Sequence, residues 1–405
     1  MADTPPNWLD GVTVLDLTRY LAGPSCTRLL VELGADVIKV EQPPYGDANR
    51  SNRPRINHRA GAHVQQNRGK RSICVDMKTD DGRRIIAELA ATVDVVVENF
   101  TPGVLDRHGL GYDQLSAANP ALVMASISGF GQTGQLAGQP CFDLIAQAYA
   151  GIMHMTGDPD GEPTFVGSGI ADTNAGVHAF AAIGHALFHR ERTGRGSHID
   201  VAMVDSLYHF NEQAVHAPSM DPAYVAIRQG RHYGNVSPAG SFRGPEGWII
   251  ILCTQAQIDN LWQAIGTPEL AADERFDTNP HRLDHRDELT DLIEQWMATF
   301  STDAEVMQAL GDARVPHGPV LSPIAAAAHP HFIERGVVRT VHDPFIGDLQ
   351  IPGFPFKASG LDPDPDLVAP GLGEHNEQVL TDVLGYDAPT IAELVEQGVL
   401  FSKPY

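Results

Sequence analysis

The chain has 405 residues, of which 42% are hydrophobic and 20% charged, and its formal net charge is −23. This length suits two domains, or one domain with a large insertion. The negative charge argues against nucleic acid or an anionic membrane as a partner, because both would repel the protein, but an anionic cofactor would need only a local basic patch.

The four cysteines are far apart in the sequence and form no Cys-x-x-Cys pair, which indicates free, buried thiols and fits a reducing cytoplasm. Residues 1–6 lack the basic region and the apolar core of a signal peptide. No apolar run reaches the length of a membrane span. We therefore predict a cytoplasmic protein.

The first elements predict a parallel sheet. Residues 12–17 form a β-branched and apolar run, residues 25–33 have helical periodicity, and residues 36–41 form the next strand-like run. Such a βαβ unit is typical of α/β proteins. The turn at residues 17–23 lacks the GxGxxG pattern, so we predict no dinucleotide site there.

The following stretch continues the α/β pattern. The run at residues 93–99 is the most apolar and β-branched, which predicts a central strand. Further strands are predicted at residues 73–76 and 122–127, and helices at residues 80–91, 100–107 and 142–153.

Three basic residues, Lys70, Arg71 and Arg107, lie near predicted strand ends or in the connections beside them. Ligands of open parallel sheets bind outside the carboxyl ends of the strands, so a cluster of these side chains would make an anion site. Each of them alone could equally be a solvated surface charge.

The stretch at residues 167–176 is rich in small residues and carries a single acid, Asp172, before a helix predicted to be buried at residues 177–188. A carboxylate at this junction meets free N–H groups and the positive end of the helix dipole. Asp172 could therefore be an N-cap, with Thr173 and Asn174 as rivals, or a catalytic carboxylate that a large substrate can approach.

A smaller α/β unit is predicted after a change of composition near residue 218. The segment at residues 230–247 contains five glycines and two prolines, which is typical of a linker or of a mobile loop over a site. The remaining predictions are strands at 197–203, 248–253, 337–341 and 349–351, helices at 205–215, 255–265, 284–300 and 303–310, an extended linker at 361–366, and two helices within 373–399.

Several motifs spread over nearly the whole chain have the sequences LDGV (9–12), AGP (22–24), LGADVIKVE (33–41), NRGKRS (67–72), DMK (76–78), VENFTPG (97–103), RTGRG (192–196) and GLGEH (371–375). As a set they resemble the class III CoA-transferases, the family that includes formyl-CoA transferase and the carnitine CoA-transferases. No single motif would be specific.

The resemblance implies an α/β fold with a Rossmann-like large domain built from both ends of the chain. Residues 1–217 would form its N-terminal part, residues 331–405 would return to it, and residues 218–330 would form a smaller α/β domain with linkers. Two chains would thread through each other as an interlocked homodimer. The substrates would be an acyl-CoA thioester and a carboxylic acid, with no bound cofactor and no metal.

Asp172 falls at the position of the catalytic aspartate of the family. Its carboxylate would attack the thioester to give a mixed anhydride, and CoA would then return to give an aspartyl-CoA thioester. The resemblance makes Asp143 a supporting active-site acid, although it could also be a helix N-terminal charge. The residues that match CoA-binding segments are Leu21, Ala22, Lys70, Arg71, Asn99, Phe100 and Arg107.

Some positions depart from formyl-CoA transferase. Leu21 and Gln42 replace polar and basic residues, so we do not expect oxalate and formate as substrates. The segment at residues 230–247 would cover the active site, but it lacks the run of consecutive glycines found in that enzyme. The basic residues Arg50, Arg53, Arg55 and His58 could meet the second carboxylate of a dicarboxylic acceptor, with succinyl-CoA as donor, or could form a solvated loop.

Two functions other than CoA transfer stay open at the level of the sequence. The α-methylacyl-CoA racemases of the same family use a histidine just before the acid that Asp143 matches, and this chain has Phe142 there, which cannot exchange a proton. His154 and His178 are nearby in the sequence, but a lone histidine in an apolar helix is more often structural. The other alternative is a CoA-binding protein without turnover.

Overall fold

The structure, a computed structural model, describes residues 7–361 and 365–403. The prediction for residues 1–6, and residues 362–364 of the predicted linker, lie outside the described residues. In the part that is described, no helix combines the length and the apolar character that a membrane span requires.

The chain forms two compact units. Unit 1 comprises the residues up to Ile152, Phe165–Asp221 and the residues from His331 onward, whereas unit 2 comprises Met153–Thr164 and Pro222–Pro330. Unit 2 thus includes a segment near residue 160 in addition to the region predicted as residues 218–330. The predicted domain boundaries themselves stay a prediction.

Residues 7–221 contain the strands of the central sheet, the short β3–β4 hairpin and the helices between them. The strands are β1 (Thr13–Asp16), β2 (Asp36–Glu41), β3 (Arg55–Ile56), β4 (Arg59–Ala60), β5 (Arg71–Cys74), β6 (Val95–Glu98), β7 (Val123–Ser128) and β8 (Ser197–Ala202). The helices are α1 (Ala22–Glu32), α2 (Gly61–Asn67), α3 (Asp80–Thr92), α4 (Val104–Arg107), α5 (Tyr112–Ala118), α6 (Asp143–Tyr149), α7 (Ile152–Met155), α8 (Ile170–Thr193), α9 (Met203–Tyr208) and α10 (Glu212–Met220), with a 3₁₀ turn at Ala48–Ser51.

The remaining elements belong to unit 2 and to the return of the chain to unit 1. They are β9 (Ala239–Arg243), β10 (Trp248–Leu252), α11 (Ile258–Ala264), a 3₁₀ turn at Pro268–Ala272, α12 (Asn279–Asp284), α13 (Arg286–Met297), α14 (Asp303–Asp312), β11 (His317–Pro319), α15 (Pro323–Ala327), α16 (Pro330–Glu334), β12 (Val338–Asp343), β13 (Gly347–Pro352), α17 (Asn376–Leu384) and α18 (Ala388–Glu396).

The central sheet of unit 1 has six parallel strands in the order β5–β2–β1–β6–β7–β8, which confirms the predicted parallel sheet. After β1 the chain adds β2 and β5 on one side and β6 to β8 on the other. The order therefore reverses between β1 and β6, and a crevice opens at the carboxyl ends of these two strands. Open α/β sheets bind their ligands at such switch points.

Both faces of this sheet are covered by helices. Val95 and Val97 of β6 pack in the cluster that contains α1 and α8, whereas Val96 packs in the cluster that contains α3, α5, α17 and α18. All three valines are fully buried, because neighbouring side chains of a strand point to opposite faces. A strand that is buried on both sides explains the uninterrupted apolar run in the sequence.

Two predicted helices are each divided in the structure. The helix predicted at residues 142–153 is split into α6 and α7, because Gly151 between them adopts a φ of +79°. The helix predicted at residues 205–215 is split into α9 and α10. There the buried Asn211 leaves the helix and donates its side-chain N–H to the carbonyl of Ala150, at 2.5 Å.

The segment at residues 230–247 is partly a strand, so the prediction of a linker or mobile loop is wrong for Ala239–Arg243. This β9 pairs with the apolar β10 in the three-stranded antiparallel sheet of unit 2. A Cβ atom at Gly240 would lie 2.3 Å from the carbonyl oxygen of Arg231. Gly240 therefore permits close approach of two backbones, and its presence does not indicate mobility.

The last part of the chain completes unit 1. The predicted antiparallel pair is confirmed as β12 and β13, and the two predicted C-terminal helices are α17 and α18. Beside β5, the N–H of His375 donates to the carbonyl of Ser72 at 2.9 Å, and the N–H of Phe401 donates to the carbonyl of Cys74 at 3.0 Å. Residues 365–403 thus cover the edge strand of the central sheet.

Candidate active site

Helix α8 begins without a side-chain cap of its own. Its N-cap residue is Gly169, so the first N–H groups need an acceptor from elsewhere. The carboxylate of Asp143 supplies it, because Oδ2 accepts from the N–H of Ala171 at 2.7 Å and from that of Asp172 at 3.1 Å. The interpretation of Asp172 as an N-cap is therefore wrong, and its carboxylate is not needed for capping.

Asp143 is itself held by Gln147 one turn later in α6. The Gln147 side chain donates to Oδ1 of Asp143 at 2.5 Å and accepts from the N–H of Val166 at 2.8 Å. Gln147 is fully buried, so this contact is shielded from water. The start of α8 is thereby fixed to α6, and this also fixes the position of Asp172 in the first turn of α8.

Asp172 lines a cavity of about 200 Å³, which we call the Asp172 cavity. Burial, and after it the nearby carboxylate of Asp143, raises the pKa of Asp172 to about 6. At neutral pH the carboxylate is thus mostly ionised, but it is poorly solvated, and such a group is a better nucleophile than one in open water. The other lining residues are Arg19, Tyr20, Ala22, Asn99, Phe100, Thr101, Pro102, Ile127, Ser128, Gly129, Gln139, Pro140, Cys141, Phe142 and Met203.

The Asp172 cavity lies at the switch point of the sheet. Arg19 and Tyr20 follow β1, Asn99 and Phe100 follow β6, and Ser128 is the last residue of β7. The carboxyl ends of parallel strands meet at one edge of a sheet. These three connections therefore converge there with the connection after β8, which starts at Met203. The fold therefore places the predicted catalytic carboxylate at the expected ligand-binding edge.

Asn99 ties the two central connections together. Its Oδ1 accepts from the N–H of Arg19 at 2.8 Å, and its Nδ2 donates to the carbonyl of the same residue at 2.7 Å. The Arg19 guanidinium then lies over the ring of Phe100, 5.2 Å from the centroid. This contact holds an exposed positive charge at the mouth of the cavity.

Sequence reasoning missed Arg19 and Tyr20. Both lie in the turn at residues 17–23, where the absence of the GxGxxG pattern excludes only a dinucleotide site. Their position directly after the first strand of a βαβ unit was a usable signal, because that turn borders the switch point. Tyr20 adopts a φ of +64°, and its N–H and carbonyl are held by Asp47 and Asn49. A strained backbone of this kind is frequent at functional sites.

A second cavity of about 250 Å³ adjoins the first one and shares Arg19 and Phe100 with it. We call it the adjoining cavity. Its lining includes Met77, Lys78 and His108, so one further cation faces it. The motif DMK is part of the family resemblance, but Lys78 is not among the binding residues predicted from the sequence.

The structure brings together only part of the predicted set. Ala22, Asn99, Phe100 and Asp172 line the same cavity. Leu21 lies behind them, with Cδ2 2.7 Å from the position that a Cβ of Gly169 would occupy. Gly169 thus allows the side chain of Leu21 to pack against the start of α8.

The three predicted basic residues do not form one cluster. Lys70 is 2% exposed and donates to Asp16 at 2.9 Å, Thr27 at 2.7 Å and Asn67 at 3.0 Å. Burial lowers the pKa of Lys70 to about 8, against the opposing effect of Asp16. Its ammonium group is used inside the protein, so the structure does not bring it to either cavity.

Arg71 and Arg107 occupy different edges of the sheet. Arg71 is the first residue of β5, at the amino end of the strand, and forms a bidentate contact with Asp36. The cavities lie at the opposite, carboxyl edge. Arg107 is exposed at the end of α4, one residue before His108 of the adjoining cavity.

Lys70 belongs to a buried charge cluster beneath the loop of Arg19 and Tyr20. Lys39 contacts Asp16 at 3.9 Å and Asp47 at 3.1 Å, and donates to the carbonyl of Thr18 at 2.8 Å. Burial alone would raise the pKa of Asp16, but the ammonium groups of Lys39 and Lys70 hold it well below its usual range. The cluster therefore stays ionised and fixes the loop.

The residues considered for a proton-exchange reaction are not placed for it. Phe142 lines the Asp172 cavity and is 62% exposed, and among the described residues that line this cavity none is a histidine. His178 contacts the carbonyl of Asn174 within α8, and His154 contacts the carbonyl of Ala226 in unit 2. The Asp172 cavity thus has no imidazole base among these residues.

The predicted basic stretch is also divided. Arg50 binds both carboxylate oxygens of Glu41, at 2.7 and 2.6 Å. Arg53 is exposed, and Arg55 and His58 line another cavity with Arg50. Within residues 7–361 and 365–403, no group of three or more His, Cys, Asp or Glu side chains is arranged to hold a metal ion.

An ionised carboxylate at a switch point, beside an exposed arginine, suits group transfer from an anionic carrier. The model of CoA-transferase family III matches residues 9–376. The succinyl-CoA–D-citramalate CoA-transferase of Chloroflexus aurantiacus is 37% identical over 406 residues, covering 98% of this chain and 99% of the relative. The succinyl-CoA:mesaconate CoA-transferase of Haloarcula hispanica is 39% identical over 385 residues, with 92% and 96% covered.

A solved structure supports the same assignment. A CAIB/BAIF family protein from Brucella suis matches with a TM-score of 0.82 at 36% identity, covering 94% of this chain and 100% of that chain. The chain belongs to CoA-transferase family III. The resemblance seen in the sequence motifs is thereby confirmed, and the protein is a class III CoA-transferase.

Proposed function

We propose that this enzyme moves CoA from an acyl-CoA to a carboxylic acid with Asp172 as the nucleophile. The reaction class follows from the family. The observation that carries the role of Asp172 is its half-buried carboxylate at the switch point, released from capping by Asp143. A carboxylate with a pKa of about 6 is ionised at neutral pH and needs no base to activate it.

In the first half of the reaction, a carboxylate oxygen of Asp172 attacks the thioester carbonyl, and the carbon–sulfur bond breaks. CoA leaves as a thiolate, and a mixed anhydride remains on Asp172. The thiolate then attacks the Asp172 carbonyl carbon of the anhydride. The donor acid departs as a carboxylate, and an aspartyl-CoA thioester is formed.

The second half repeats these steps in reverse with the acceptor. The acceptor carboxylate attacks the aspartyl-CoA thioester, which expels the thiolate and gives a new mixed anhydride. The thiolate attacks the acceptor carbonyl, so the new acyl-CoA is released and Asp172 is regenerated. No proton changes hands in this sequence, which is consistent with a cavity lining that contains no histidine among the described residues.

The two neighbouring cavities suggest how CoA is held. We place the thioester end in the Asp172 cavity and the nucleotide end in the adjoining cavity, because Arg19 and Phe100 line both. Arg19 and Lys78, which line these cavities, would then face the phosphates, together with the exposed Arg107 beside His108. A guanidinium or ammonium group suits that contact. Lys70 and Arg71 have no part in this proposal.

For the acids, we propose succinyl-CoA as donor and a small dicarboxylate as acceptor. The support is that two relatives with 37% and 39% identity are named for succinyl-CoA together with D-citramalate or mesaconate. A panel of acyl-CoA donors and mono- or dicarboxylic acids, with new thioesters read by mass, tests this choice. Transfer to monocarboxylates only would contradict it.

We also propose the interlocked homodimer of the family. Its support in this chain is a set of exposed apolar side chains in unit 1 that a single soluble copy would leave in water. They are Phe142, Leu144, Ile145, Tyr149, Val177, Phe188, Tyr208 and Phe210.

The role of Asp172 is tested by intact-protein mass after incubation with succinyl-CoA alone. The wild type should gain one CoA with loss of water, and peptide mapping should place the CoA on Asp172. Asp172→Ala should gain nothing and transfer nothing. Asp113→Ala removes an exposed acid from the first turn of a different helix, α5, and should behave as wild type. An adduct that persists in Asp172→Ala would overturn the proposal, and a protein that binds CoA without any adduct or transfer would be a non-catalytic binder.

A further inference from the structure

A third cavity of unit 1, with a volume of about 370 Å³, is lined by basic and neutral residues. We call it the basic cavity. Six of its lining residues are Arg50, Arg55, His58, Arg59, His63 and Lys403, and none of the described residues that line it is acidic. This is unusual in a chain with 51 acidic and 28 basic residues, because a random surface would contain more carboxylates than cations.

The floor of the basic cavity is rigid. The guanidinium of Arg50 contacts both oxygens of Glu41, and Nε of Arg59 donates to Oδ2 of Asp343 at 2.7 Å. His63 is 1% exposed, and its Nε2–H donates to the carbonyl of Pro370 at 3.1 Å while Nδ1 accepts from Asn67. Burial, and after it the charge of Arg50, holds the pKa of His63 well below its usual range, so the imidazole is neutral.

The rim carries two further cations, Arg55 and Lys403, and the imidazole of His58. Arg55, His58 and Lys403 are exposed, and among the described residues their side chains have no ion-pair partner. Two of them belong to the tight β3–β4 hairpin, whose turn residues Asn57 and His58 have φ values of 49° and 64°. This conformation matches a two-residue type I′ hairpin turn, which fixes the direction of the rim.

Both parts of the rim are anchored to other segments. The side chain of Asn57 donates to the carbonyl of Phe345 at 2.9 Å, and the N–H of Lys403 donates to the carbonyl of Leu372 at 3.0 Å. The cations are thus presented over a rigid floor. Pre-ordered donors lose little conformational entropy when they bind a ligand.

We propose that the basic cavity binds a small anion with two or more negative charges. A dicarboxylate and a phosphate share the required chemistry, since each offers several oxygens to a guanidinium and an ammonium group. The volume lies at the low end of the range for small-molecule sites, which fits an anion of a few carbon atoms. The site is separate from the Asp172 cavity, because the two share no lining residue.

Calorimetric titration of the intact protein with inorganic phosphate and with succinate, at constant ionic strength, tests the proposal. Wild type is expected to bind one of the two anions at one site per chain, with sodium acetate much weaker. The tighter anion identifies the source of the ligand. Saturation with free CoA should leave the binding in place, because CoA belongs to the other two cavities.

The variants separate the basic cavity from the general surface. The double variant Arg55→Ala/Lys403→Ala should lose at least about ten-fold in affinity, since it removes two charge-assisted contacts to the anion. Ser51→Glu adds a carboxylate to the lining and should abolish binding. Arg53→Ala removes an exposed arginine that does not line the cavity and is the matched control.

Three results would overturn the proposal. They are equal affinity in wild type, Arg55→Ala/Lys403→Ala and Ser51→Glu, loss of binding in the presence of CoA, or no binding of either anion at millimolar concentration. Equal losses of affinity in Arg53→Ala and in the double variant would also overturn it, because the binding would then depend on the general charge of the surface.

Discussion

At the scale of single residues, the site depends on two aspartates with different partners. Asp143 accepts two backbone N–H groups and a side-chain amide, whereas Asp172 faces a cavity. The same chemical group is therefore a positioning residue in one place and the proposed nucleophile in the other. Environment and not residue type determines the difference, as in other enzymes with paired carboxylates.

The raised pKa of Asp172 predicts the pH dependence of the enzyme. The nucleophile must be ionised, so kcat/KM should fall as the pH drops through about 6, with a slope of one. Asp143→Asn removes the nearby charge but not the burial, so the acid limb should move to lower pH and remain above that of an exposed aspartate. Initial rates over a broad pH range measure both limbs.

Glu98 provides the control for this assignment. Burial raises the pKa of Glu98 to about 7, and its carboxylate accepts from the N–H of Phe100 at 2.7 Å. If Asp172 causes the acid limb, Glu98→Gln should leave its midpoint unchanged. A midpoint that moved with Glu98→Gln and stayed in Asp143→Asn would assign the limb to Glu98.

Adjacent residues in one motif can have opposite roles. Lys70→Met should destabilise the protein by about 3–5 kcal/mol, because it leaves Asp16 buried without one of its cations. Arg71→Met should cost less than about 1 kcal/mol, since its partner Asp36 is partly exposed. Urea unfolding measures both values. An Arg71→Met enzyme with a clearly increased KM for acyl-CoA would show that the carboxyl-edge model of CoA binding is wrong.

At the scale of elements, the position of Asp172 depends on how closely α8 packs on α1. A Cβ at Gly176 would lie 2.5 Å from the carbonyl oxygen of Ala22 and 2.9 Å from the Cβ of Ser25. Ala22 lines the Asp172 cavity, so the same contact sets the distance between the wall of the cavity and the proposed nucleophile, Asp172. At Gly176 the small residue thus serves helix packing, and access of a large substrate to Asp172 stays a prediction.

Two alanine substitutions in α8 test this packing. Gly176→Ala should cost about 1–3 kcal/mol through overpacking and should lower kcat, because α8 must move away from α1. Gly184→Ala lies on the same helix, where no described atom outside the local helix backbone lies within 4 Å of the new Cβ, and should stabilise the helix by about 0.5–1 kcal/mol. Thermal unfolding and initial rates compare the two. Equal effects of both substitutions would mean that the close contact is unimportant.

The elements also show what sequence reasoning can reach. The strand predicted at residues 36–41 is β2 with the same bounds, because a short run rich in β-branched residues that follows a helix-ending glycine, Gly34, is a local signal. The burial of Lys70 and the exposure of Arg19 are not local. They depend on which strands become neighbours, and β1 and β6 are about eighty residues apart in the chain. The cap from Asp143 to α8 was missed for the same reason, since its partners are 28 and 29 residues apart.

Motif similarity supplied the family and the position of Asp172, but not the function of every residue within a motif. The segment NRGKRS matched as a block, although Lys70 is buried and Arg71 is paired with Asp36 at the far edge of the sheet. Likewise, the glycines at residues 230–247 resembled a flexible segment, and Gly240 proves to be required for close backbone packing in β9.

At the scale of the whole molecule, exposed apolar side chains on α6, on α8 and at residues 208–210 stand out in an otherwise acidic protein. Phe188 is 63% exposed and Val177 is 45% exposed, on a helix whose opposite face forms the core of unit 1. Long helices that keep apolar residues on two faces are typical of subunit interfaces. This feature supports the proposed homodimer.

The proposed homodimer predicts a charge-sensitive face. Phe188→Asp combined with Val177→Asp should reduce the fraction of molecules with twice the mass of one chain, because two buried carboxylates would need desolvation. Val395→Asp is the control, since it alters a 53% exposed valine on α18 instead. Light scattering after size-exclusion chromatography measures the mass. A wild-type protein that remains at the mass of one chain at high concentration would contradict the proposal.

The covering of β5 by residues 365–403 has a consequence for biosynthesis. The N–H of Cys74 is satisfied by the side chain of Asn376, 302 residues later in the chain. At a translation rate of about 5–20 residues per second, the edge of the nascent sheet waits roughly 15–60 s for its cover. During that interval the unpaired backbone of β5 is open to other strands. We therefore expect ribosome-bound chains that stop before residue 365 to recruit chaperones or aggregate, whereas chains extended through residue 403 should resist proteolysis at β5.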